Sequence, residues 1–136
     1  MEFPLFLNRL NNNEKEAFLA LAHHVAHVDK RLSSEEEDMI AKYCMEMQLD
    51  DIEFNLESFD LQKTLENFTT SSHQKIALLE ILALMYADGS LASEEDEIIR
   101  IMIAQFDLNP NLAVVYREWS KSILSLFVQG EALIHL

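Results

Sequence analysis

Two glycines, two prolines and one cysteine among 136 residues leave little from which to build turns, hairpins or covalent staples. So few breakers exclude the turn-dense chemistry of an all-β chain and suit long helices. The lone Cys44 excludes an intramolecular disulfide and a multi-thiolate metal site, and reads as a core thiol. Basic residues are scarce too. Ten Lys and Arg stand against 24 Asp and Glu, a net charge of −14 that repels nucleic acid and anionic membrane surfaces. No Gly-rich phosphate loop or nucleophile elbow occurs, so the chain does not read as an ordinary enzyme. The longest apolar run, 76–87, is interrupted by Glu80 and too short to span a bilayer. With no basic n-region or small-residue cleavage site near Met1, the reading is a cytoplasmic protein without direct membrane insertion.

What the chain does have is 49% hydrophobic residues, rich in Leu, Ile, Ala and Met, enough for one sizeable core. Its second asset is an acidic phrase that occurs twice. Val28-Asp29 followed by Leu32, Ser34, Glu35 and Glu36 returns 59 residues later as Ala87-Asp88 followed by Leu91, Ser93, Glu94 and Glu95. An internal repeat is strong information about architecture. The expectation is a single all-α domain over 1–136, a bundle of about six or seven helices built from two helical hairpins, about 14–50 and 73–109.

The pattern places the elements. Asn11-Asn12-Asn13 with Glu14 and Glu16 predicts a helix start and a helix over 14–28, with Phe18, Leu21, Ala22, Val25 and Val28 as its core stripe. Residues 3–10 predict a short helix packed over the bundle. Ser34 with Glu37 has the form of a capping box and opens a helix over 35–47; Ser93 with Asp96 answers it for 94–106. Asp60 caps a short helix through Leu61, Leu65 and Phe68. Residues 73–87, apolar nearly all round with Glu80 the exception in the second half, predict a central buried helix. Asn109-Pro110 starts the last helix. Its expected stripe is Leu112, Val115, Tyr116, Trp119, Ile123, Leu126 and Phe127, with Gly130 ending the helix or loosening its last turns.

Both copies of the phrase put carboxylates at a helix–helix junction. Asp29 and Asp88 fall at helix C-termini, where the helix dipole disfavours negative charge by about 0.3–1 kcal/mol. Compensation comes either from loop N–H groups, with Gly89 as the left-handed residue, or from a bound cation shared with Glu95. Glu35, Glu36, Glu94 and Glu95 need no ion, since a helix start already favours them. An all-oxygen donor set points to Ca²⁺, Mg²⁺ or Mn²⁺. It is not an EF-hand: with Asp88 as position one, Ala92, Ser93 and Ile99 fall where an oxygen ligand, Gly and the bidentate Glu belong.

An apolar helix ending in Ala87-Asp88-Gly89, then Leu91, Ser93, Glu95 and Ile99, resembles the TerB tellurite-resistance family and its DnaJ-associated relatives over most of the chain. The resemblance implies an all-helical fold with two such hairpins and a divalent-cation site built from the junctions, here Asp88 and Glu95 with Asp29 and Glu36. It also implies a place in a stress-response or membrane-associated assembly. The first copy departs from the pattern, with Lys30-Arg31 where Gly89-Ser90 stand, and its charge over 29–40 is −3 against −5 over 88–99. Either Lys30 takes the left-handed position of Gly89 or the turn has another shape, and Arg31 is a candidate counter-ion for Asp29 in place of a metal.

Two other readings stand beside this one. The first is a metal-free scaffold whose acidic face or exposed apolar patch binds a basic or helical partner. The second is a metallohydrolase using His23 and His27, one helical turn apart, with Asp29 or Glu36 as carboxylate ligand. No H-E-x-x-H supports the second, and the histidines read rather as semi-buried core. His73 and His135 carry no signal, and neither the partner nor the oligomeric state is legible.

Overall fold

The computed structural model describes residues 6–28, 34–86 and 93–136. Among them it is all-helical, without strands. A 3-10 helix, Leu7–Arg9, precedes α1 (Asn12–Val28), α2 (Ser34–Met47), α3 (Leu61–Leu65), α4 (Ser71–Met85), α5 (Ser93–Phe106) and α6 (Asn111–Ile134). No helix among the described residues is long and apolar enough to cross a membrane.

Helix ends follow from local chemistry. Asn11 and Glu14 form a reciprocal capping box: the Glu14 N–H donates to Asn11 Oδ1 at 2.9 Å, and the Asn11 N–H donates to Glu14 Oε1 at 2.8 Å. Asp60 caps α3 through the Lys63 N–H, and Thr70 caps α4 through the His73 N–H. The C-termini of α2 and α5 close without glycine. Gln48 and Asp107 take the left-handed conformation, with φ of 56° and 52°. Leu49 N–H then reaches back to Cys44 O, and Leu108 N–H to Ile103 O, both at 3.0 Å, completing the paired bonds of a Schellman motif.

These equivalences share one offset. Starts of α1 and α4, starts and ends of α2 and α5, the cap residues Asn11 and Thr70, and the left-handed Gln48 and Asp107 all lie 59 residues apart. The two halves therefore start their helices in the same register, and α2 and α5 end on the same left-handed turn.

α4 is the centre. Its residues from Ile76 to Met85 are almost all buried, and it packs against α1, α5, α6 and the 3-10 helix. Phe18, Leu21, Ala22 and Val25 of α1, Tyr43 and Met47 of α2 and Ile99 and Met102 of α5 complete the core. Each fully buried Leu or Ile contributes about 1.5–3 kcal/mol. α6 lies on α4 through Ala113 and Ser120, small buried residues seven apart that let the helices approach closely.

α6 departs from expectation in two ways. Gly130 does not end it: the helix continues to Ile134, and a Cβ at Gly130 would meet nothing within 4 Å. Its stripe is only partly buried, because Val115, Leu126 and Phe127 are exposed. The spacing is right for an apolar face, but the bundle is too short to cover a helix of 24 residues. The 3–10 segment also differs, since its described part holds only a single 3-10 turn. Cys44 is half-buried against the core, and its thiol is pushed up by burial, then by Asp51 and Asp50.

Candidate functional site

Asp29 and Asp88 lie outside the described residues. Their predicted companions do not. Glu36 and Glu95 occupy the third position of α2 and of α5, and each is only 3% exposed. The neighbouring acids Glu37, Asp38, Glu94 and Glu97 face solvent, so the first turns of α2 and α5 bury a carboxylate at the same register. α2 packs on α1, and α5 on α4 and α1. Burying a carboxylate costs several kcal/mol unless it is offset by hydrogen bonds or an opposite charge. The first-turn N–H groups of a helix supply one such offset, and a cation would supply another. Carboxylate oxygens fit hard divalent ions. Among the described residues no group of three or more His, Cys, Asp and Glu converges as a metal cage, so a cage at the junctions needs the two aspartates.

Asp96, the residue after Glu95, is occupied otherwise. Arg117 of α6 reaches it at 2.6 Å and Arg100 at 2.9 Å. The Arg100 hydrogen bond and then Arg117 hold its carboxyl below the ordinary aspartate value, against a burial effect in the opposite direction. This clamp ties α5 to α6.

The histidines of α1 are held by their own helix and by residues 50–60. His23 Nε2 meets Asp51 Oδ1 at 2.8 Å, and His27 Nδ1 donates to the His23 carbonyl at 2.7 Å. His24 stacks on Phe59 with centroids 4.5 Å apart, while His23 and His27 both stack on Phe54. Burial and then His27 lower the His24 pKa. Three imidazoles thus anchor residues 50–60 to α1 by stacking. Beside them, a cavity of about 470 Å³ carries His23, Glu37, Asp50 and Asp51 above a floor of Ile40, Ala41 and Leu49.

Two groups escaped the sequence reading. Glu14 is buried, and His73 Nδ1 donates to it at 2.8 Å. The two residues are 59 apart and take the same position in α1 and α4, so the pair bridges the halves at equivalent points. That offset was the available signal, although an isolated His carries none by itself. The other is Glu80, where the first half has Leu21. It is 1% exposed, and neither carboxyl oxygen has a hydrogen-bond partner. Burial and then the Glu46 carboxylate push its pKa up to about 9, with a weaker opposing pull from the Phe6 backbone amide. The Tyr43 hydroxyl donates to the Glu80 backbone carbonyl at 3.4 Å, not to the side chain. At neutral pH Glu80 is a protonated acid in an apolar setting.

No family model, curated protein or solved structure matches this chain.

Proposed function

We propose that the protein is a TerB-like helical module that holds a divalent cation, Ca²⁺, Mg²⁺ or Mn²⁺, at its hairpin junctions. Asp88 and Glu95 carry the binding, with Asp29 and Glu36 in the supporting half. The reading is of a non-catalytic component in a stress-response or membrane-associated assembly. Its main support is the inward turn of Glu36 and Glu95 at matching positions of α2 and α5, each beside solvent-facing acids that the fold leaves in water. Repeating the same inward turn at both junctions favours a shared role over chance, and the donor chemistry selects hard cations.

The test is thermal unfolding with each ion at low millimolar concentration, for wild type beside Asp88→Asn and Glu95→Gln. A site at a hundredfold its Kd stabilises by about 2.7 kcal/mol. The proposal expects that gain in wild type and its loss in both variants; no gain for any ion removes it.

A second reading has its own support. The cleft between α1 and α2 sets Glu37, Asp50 and Asp51 around an aliphatic floor, which suits the basic side chain of a protein partner. Such binding would resist chelator and weaken with salt.

A further inference from the structure

The face of α6 that packs on the bundle continues past the bundle's edge. Ala113, Tyr116, Ser120, Ile123, Phe127, Gly130 and Ile134 follow one another at alternating steps of three and four residues, the spacing of a helix-packing seam. The first four are buried or half-buried. Beyond them the exposure rises to 41% at Phe127 and 75% at Ile134, with Leu126 and Leu133 beside the seam at 65% and 66%. One stripe is therefore core for half its length and bare for the rest.

We infer that this bare stripe is an interface with a second copy of the chain, two α6 ends crossing antiparallel about a two-fold axis near Gly130. Charge argues for a second copy. Residues 121–136 contain Lys121 and Glu131 alone, so the −14 of the chain resides wholly in the other residues. The rest of the chain carries the net negative charge that opposes self-association, whereas this segment is neutral in sum. The same −14 opposes docking on an anionic membrane.

Shape argues likewise. Gly130 has open space where a Cβ would be, so the bundle's own packing does not ask for a small residue there. On a two-fold axis it lets the helices approach closely, with Leu133 of one copy over Phe127 of the other and Ile134 over Leu126. Complete cover of these four residues on both chains would bury at most about 1,000 Å², the lower bound of a specific interface.

The decisive experiment is sedimentation equilibrium of the full chain from about 1 to about 200 µM at about 0.15 M salt. Wild type is expected to pass from monomer to dimer, and Leu126→Glu with Leu133→Glu to stay monomeric with an unchanged bundle melting transition. Gly130→Cys in a Cys44→Ser background is expected to form an inter-chain disulfide on oxidation, while Ser122→Cys does not. A wild type that is monomeric throughout, a dimer that survives the double substitution, or a monomer that co-sediments with neutral phosphatidylcholine vesicles overturns the inference. None of these readouts depends on a cation.

Discussion

Replacing Glu80 by Leu, the residue at the matching place in the first half, should make the protein more stable by an amount that grows with pH. The unfolded chain releases the Glu80 proton near 4.5, while the folded chain keeps it to about 9. Across that window the unfolded state binds fewer protons, so stability is full below the lower value and falls as pH rises. The slope is about 1.4 kcal/mol per pH unit. From pH 5 to pH 8 wild type therefore loses about 4 kcal/mol relative to Glu80→Leu. At pH 5 the difference should be small, on the order of 1 kcal/mol, reflecting the buried acid that lacks a partner. Urea unfolding of both proteins at pH 5, 6, 7 and 8 measures it, and other titrations, including that of His24, cancel in the difference. Parallel stability curves would refute the reasoning, because they would mean that Glu80 is ionised and compensated inside the fold.

Other outcomes follow from the helix ends. Gln48→Gly and Asp107→Gly should each raise stability by about 0.5–1 kcal/mol in denaturant melts, since a β-carbon is strained in the left-handed region they occupy. Glu14→Ala should cost about 2 kcal/mol, through the lost capping box and the lost His73 contact together. A double-mutant cycle with His73→Ala should return a coupling above about 0.5 kcal/mol, and additive losses would mean that the bridge between the halves contributes nothing.

Much of this fold was legible because its signals are local and periodic. Caps at Asn11 and Asp60, the apolar α4 and the 59-residue offset all lie in the order of residues along the chain. The C-termini of α2 and α5 were not, because Gln48 and Asp107 do what glycine usually announces. Nor does a sequence stripe say where a bundle ends, so Leu126 and Phe127 read as core although α6 carries them into solvent. The site was legible in part: the pattern named Glu36 and Glu95 as junction acids, but their burial depends on how each helix turns against its hairpin partner. The His73–Glu14 bridge and the stacking of His23, His24 and His27 on Phe54 and Phe59 depend on contacts distant in sequence, which periodicity does not encode.

The cation claim is tested most directly by calorimetric titration of the metal-free protein with Ca²⁺, Mg²⁺ and Mn²⁺. Wild type should bind at least one of these ions saturably, Asp88→Asn and Glu95→Gln should abolish that binding, and Asp29→Asn should only weaken it. Absence of binding heat for every ion, together with unchanged melting, or equal binding by wild type and Asp88→Asn, would contradict the account.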